Sequence, residues 1–183
     1  AAPVLVISNK ADAPGLDRAR AYPVAVEVVP WNDPESAERR CLDLCRHRNV
    51  EFIVLAGFMR LLTRTLIDPY IYKIINIHPA LLPSFPGIHA QKQALDRGVR
   101  FTGCTTHFVT AGVDAGPIIL QKVAPVNDGD DEETLSRRLL PFEHEILAES
   151  VNLFVAGCLE VVEHRKVRID YERYHSIRRT RTS

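Results

Sequence analysis

The segment Ile74-Ile75-Asn76-Ile77-His78-Pro79 restricts the possible folds of this chain more than any other. A run of apolar β-formers ends on two polar side chains, and Pro79, which has no N–H, stops the strand. Side chains alternate across a strand, so Asn76 and His78 share one face at its carboxyl end. In open α/β sheets that edge is where ligands bind. A carboxamide and an imidazole there form a polariser and a proton-transfer group. The alternative is a strand end whose polar residues simply face water.

Around this segment, strand-like and helix-like stretches alternate, the signature of an α/β fold with a mostly parallel central sheet and helices on both faces. Strands are expected at 4–8, 24–29, 51–56 and 73–78, followed by two long β segments at 101–110 and 117–126. Helices are expected at 16–20, from 33 to about 48, at 65–70, at 89–97 and from the acidic run 128–133 to about 156. Asp33-Pro34-Glu35 is a good helix start, with proline in the first turn and acids at the positive helix end. The acids at 128–133 read as N-capping in the same way; a calcium loop fits less well, because the glycine and distal glutamate of an EF-hand are missing. A closing hairpin is expected at 159–162 and 167–170. Residues 1–183 read as a single domain whose basic end, 171–183, is a solvated and partly disordered tail.

The 183 residues are enough to bury roughly 70% of the unfolded surface. Formal net charge is zero, so the charge balance suggests neither nucleic acid nor an anionic membrane as partner. No apolar run is long enough to span a bilayer, and the chain reads as cytoplasmic. Cys41, Cys45, Cys104 and Cys158 lack metal-ligand spacing. Cys41 and Cys45, four apart, read as buried free thiols before they read as a metal pair. No metal site is expected.

Three polar groups can converge at the sheet edge: Asn76, His78 and Asp114, the single acid in the turn-rich loop 111–116. A carboxylate beside the histidine is expected to raise its pKa, and an amide can donate to a developing oxyanion without titrating. Together they suit acyl or formyl transfer through a tetrahedral intermediate, without a covalent enzyme intermediate. No G-x-S-x-G nucleophile elbow is present. His107, in mid-strand, and His144, in a helix, read first as packed histidines. Gly57 permits a sharp turn after a strand, and the backbone beyond it offers a flat ligand the surfaces of Phe58, Met59 and Leu62, with plain core packing as the alternative.

The blocks at 55–62, 75–87, 102–121 and 142–151 resemble, in this order, the folate-dependent formyltransferases, and within them the phosphoribosylglycinamide formyltransferase family. The resemblance implies a Rossmann-like formyltransferase fold and a formyl donor, 10-formyltetrahydrofolate. The acceptor implied is glycinamide ribonucleotide, both small molecules, in purine biosynthesis. It assigns general acid/base work to His78, support and proton relay to Asp114, and the formyl oxygen to Asn76. The folate would lie against Phe58, Met59, Arg60, Leu61 and Leu62, beside Asn76 and the loop Thr110, Ala111, Gly112, Val113 and Asp114. The ribonucleotide would lie near Ile77, Pro79, His107, Leu140 and Glu143, with Glu143 on the ribose.

The match departs from the family pattern in places. The chain opens at what resembles the family's second strand, without the first strand and its phosphate-holding loop. Leu140 stands where a polar or basic residue is usual, and Asp33-Pro34-Glu35 where a basic one is expected. Two rival readings follow: a formyltetrahydrofolate hydrolase, with water as acceptor, or a non-catalytic folate-binding protein.

Overall fold

The computed structural model describes residues 2–181. Its elements, in chain order, are β1 (Leu5–Ser8), α1 (Pro14–Arg20), β2 (Ala25–Val28), α2 (Pro34–His47), β3 (Ile53–Leu55), α3 (Arg64–Ile67) continued by a 3₁₀ turn (Asp68–Tyr70), β4 (Ile74–His78), α4 (Ala90–Asp96), β5 (Phe101–Phe108), β6 (Ile118–Pro125), α5 (Glu132–Val155), β7 (Leu159–Val162), β8 (Lys166–Ile169) and α6 (Tyr171–Arg181). The α/β class and its helix-covered sheet are as the alternating pattern predicts.

Two ladders form. β1 and β2 pair in parallel as a two-stranded sheet, and six strands form a second sheet in the order β3-β4-β5-β6-β8-β7. β3 and β4 are parallel, joined through α3, whereas β5 runs antiparallel to both of its neighbours, β4 and β6. The β5–β6 connection is too short for a crossover, which needs a dozen or more residues, so those strands turn back on each other. β8 pairs in parallel with β6 and closes the expected hairpin with β7.

Alternation along β4 decides which side chains reach the site. Ile74 packs with Leu42, Cys45, Leu66 and Tyr70, the face covered by α2 and α3. Ile75 packs on the other face with Phe108 and Ile119, against Leu147 and Phe154 of α5. Asn76 and His78 therefore share the Ile74 face and emerge at its carboxyl end.

The helix starts follow the sequence signals. Asp33 accepts from the Ser36 N–H at 3.2 Å and Pro34 opens α2. Asp131 and Thr134 form a reciprocal capping box on α5, and Arg138 grips Asp130 with two hydrogen bonds, holding that carboxyl down at about 2. The four cysteines are free and buried, and burial pushes the Cys41 thiol up to about 11 and that of Cys104 to about 12.

One expectation is overturned. Residues 171–181 form helix α6 and not a disordered tail; 182 and 183 lie outside the described residues. Asp170 caps its first turn through Arg173 N–H, and Tyr174 is buried against Leu153 and Cys158. Two apolar anchors at helical spacing, Tyr174 and Ile177, suffice to dock a helix that is otherwise basic. Among the described residues, no helix is long and apolar enough to cross a membrane.

Candidate active site

Pairing of β4 with β5 sets Asn76 opposite His107 and His78 opposite Thr105. The Asn76 side-chain amide lies 3.2 Å from His107 Nε2. His107 Nδ1 donates to the Phe108 carbonyl at 3.0 Å, so in the neutral ring Nε2 is the acceptor and Asn76 the donor. One amide hydrogen of Asn76 remains for a ligand.

Asp114 enters from the loop between β5 and β6, held there at a positive φ of 47°. Its Oδ2 accepts from Gly87 N–H at 2.8 Å and stands 3.3 Å from His78 Nδ1, while Oδ1 is 3.6 Å from His107 Nε2. His78 Nε2 donates to the Phe85 carbonyl at 2.8 Å. The result is one chain of groups, His78–Asp114–His107–Asn76, crossing two strands and a loop.

Two influences oppose each other at His78. Both ring nitrogens face acceptors, which only the imidazolium satisfies, but the residue is 4% exposed. Burial outweighs the Phe85 carbonyl and the Asp114 carboxylate, and the pKa lies below the usual histidine value. Asp114 acts in the expected upward direction, but burial, which the expectation left out, reverses the net shift, and the carboxylate limits the fall. For Asp114, burial pushes upward, but the His107 ring, the Gly87 N–H and the charge of His78 together hold the carboxyl below its usual range.

Beside this chain lies a cleft of about 160 Å³, a volume suited to one ring system rather than a whole drug-sized molecule. Leu55, Phe58, Arg60, Leu61 and Leu62 line one side; Val109, Thr110, Gly112, Val113 and Asp114 line the other, with Asn76 and His107 between. Met59 and Ala111, expected here, are not in the lining, and Met59 is exposed. His78 is not in it either, because Asp114 stands in front and the Phe85 carbonyl covers Nε2. Ile77 lies on the opposite face of β4, and Pro79, Leu140 and Glu143 are outside the lining. Leu140 is exposed on α5, and burial raises the pKa of Glu143 on the same helix.

Among the described residues, the backbone of 56–62 has no hydrogen bond to another backbone group, which leaves its N–H and C=O groups available to the edge of a ligand. Trp31 meets Phe58 edge-to-face with centroids 5.2 Å apart, backing this wall. Gly116 ends the Asp114 loop so close to β5 that an added Cβ would lie 1.7 Å from the Phe108 carbonyl oxygen. Thr105 Oγ1 donates to the Ala80 carbonyl and accepts from Leu82 N–H and Gln121, fixing the turn that follows His78.

Sequence reasoning missed two contributors. The Phe85 carbonyl and the Gly87 N–H are backbone groups without a side-chain signature. His107 reads in its own segment as a packed histidine and is set near the ribonucleotide by the resemblance; its register opposite Asn76 brings it to the site.

A formyl transferase family profile matches residues 1–151. The chain is 46% identical over 166 residues to the trifunctional purine biosynthetic protein adenosine-3 of Drosophila pseudoobscura pseudoobscura, covering 89% of this chain but only 12% of that protein. It is 38% identical over 162 residues to the phosphoribosylglycinamide formyltransferase of Escherichia coli (strain K12), covering 87% of this chain and 76% of the relative. The crystal structure of glycinamide ribonucleotide transformylase 1 from Symbiobacterium toebii superimposes with a TM-score of 0.86 at 47% identity, over 91% of this chain and 79% of that one. With the strand-end asparagine and histidine, the loop aspartate and the adjoining cleft in one place, the chain belongs to the phosphoribosylglycinamide formyltransferase family.

Proposed function

We propose that this chain transfers a formyl group from 10-formyltetrahydrofolate to the amine of glycinamide ribonucleotide, a step of purine biosynthesis. The observation that carries the proposal is the union of an amide donor, a buried His–Asp pair and a flat apolar cleft on one sheet edge. The cleft fits the donor's heterocycle: apolar walls from Leu55, Phe58 and Leu62 flank backbone groups free to bond a polar ring edge.

In this reading the free amide hydrogen of Asn76 donates to the formyl oxygen. The acceptor amine attacks the formyl carbon, forming a C–N bond, and the carbonyl electrons move onto oxygen beside Asn76. The amine gives up one proton, which Asp114 and His78 hold and pass on. The bond from the formyl carbon to folate N10 then breaks, and N10 takes that proton, so the protein ends unchanged. His78, with its pKa lowered by burial, is a ready base behind Asp114. Negative charge developing on the substrate oxygen favours its protonated form as the reaction proceeds.

The test is a spectrophotometric assay with 10-formyl folate, with and without glycinamide ribonucleotide. Turnover that requires the ribonucleotide is the expected result. Turnover in its absence identifies water as acceptor and overturns the reading.

A further inference from the structure

Glu38 is fully buried at 0% exposure, on the inner face of α2, and none of the chemistry above uses it. Its oxygens accept three hydrogen bonds from one short segment. Thr63 N–H donates to Oε1 at 2.7 Å, Thr63 Oγ1 to Oε2 at 2.8 Å and Leu66 N–H to Oε2 at 3.2 Å. The peptide N–H of Thr63 belongs to the same amide as the carbonyl of Leu62, the last residue of the cleft wall.

The wall is an arch. At one end Leu55 is fixed in the β3–β4 ladder opposite Asn76; in the middle Phe58 rests on Trp31; at the other end Thr63 is tied to Glu38. Between these anchors, and among the described residues, the 56–62 backbone has no hydrogen bond to another backbone group. The position of Leu61 and Leu62 thus depends on the last anchor, and a fully buried carboxyl that accepts three hydrogen bonds from one short segment, one of them from the buried Leu66 N–H, is a stiff one.

We infer that Glu38 is a positioning residue for the formyl-folate half of the site, holding the 58–62 wall at the spacing that accepts a flat ring. The inference rests on the reading of the cleft proposed above. Glu38 does not touch Asn76, His78 or Asp114, so loosening its grip changes the donor subsite and leaves the proton-transfer groups in place.

The test uses the full chain and two variants. Glu38→Gln sets an amide N–H against at least one of the three donors, and Thr63→Val removes the hydroxyl contact alone. The expected result is a rise of about tenfold in KM for 10-formyl folate in Glu38→Gln, the scale of one hydrogen bond to a buried side chain lost. A smaller rise is expected in Thr63→Val, with kcat and the KM for ribonucleotide within about twofold of wild type. A purely structural role lowers kcat in proportion to the folded fraction at constant KM, and that pattern overturns the inference. Amide hydrogen exchange on the unliganded variants reads the same device without folate. Exchange at 57–63 should accelerate while β4 and β5 keep their protection, and unchanged exchange at 57–63 overturns the inference even where the transferase reading stands.

Discussion

Burial does as much as charge at His78. Its neighbours raise the pKa and its desolvation lowers it, with a net position below the ordinary 6.5. Removing the anion should deepen the shift: in Asp114→Asn the His78 pKa, followed by NMR, falls further, and an unchanged titration would contradict the pairing. The same balance governs stability. A histidine depressed in the folded state is protonated first in the unfolded chain, so its contribution is intact above about pH 6.5 and declines as pH falls below it. Asp114, held below its ordinary 3.8, contributes above that value and loses its contribution as pH falls through the folded pKa, a slope of the same sign further into acid. Urea midpoints should therefore fall between about pH 7.5 and about pH 5, less steeply in His78→Gln than in wild type. Parallel slopes would show that His78 does not carry the effect. Among these residues, Asn76, His78 and Asp114 were legible because strand alternation and a lone acid in a turn are local signals. Glu38 was not, and local pattern alone did not set His107 there, only the resemblance: His107 meets its partner 31 residues away and Glu38 its partner 25 away, and Glu38 reads as one more acid on a charged helix.

The elements carry the site through close backbone approaches that side-chain patterns do not announce. At Gly116 an added methyl would meet the Phe108 carbonyl, the same oxygen that fixes the His107 tautomer. Gly116→Ala should cost about 1–3 kcal/mol in urea denaturation and depress turnover, because either β5 or the Asp114 loop must move. Wild-type stability in that variant would contradict the packing at this turn. Helix α6 shows the opposite limit of sequence reading. Its basic composition hides two apolar anchors, so 171–181 resembled a solvated tail. Tyr174→Ala should destabilise the protein by about 3 kcal/mol, the usual scale for truncating a buried aromatic. A change within the error of the urea measurement would mean that α6 is not docked on α5.

For the whole molecule, the strand and helix succession was readable to within a residue or two at most boundaries, because apolar runs, caps and glycine stops are local. The strand order was not. It depends on which segments meet, and only the short β5–β6 loop foretells antiparallel pairing in its half of the sheet. That pairing brings His107 to Asn76 and seats the Asp114 loop over His78, so the chemistry is a property of the sheet and not of any one motif. In the proposed function this edge binds the donor with one set of groups and moves the proton with another. The most direct measurement compares His78→Ala with wild type in two readouts on the same samples. One is 10-formyl folate binding, followed by the fluorescence of the single tryptophan, Trp31, against the cleft wall. The other is single-turnover formyl transfer. The prediction is unchanged binding with transfer slowed by about 10²-fold or more. Full-rate transfer, or a loss explained by weakened binding alone, would contradict it.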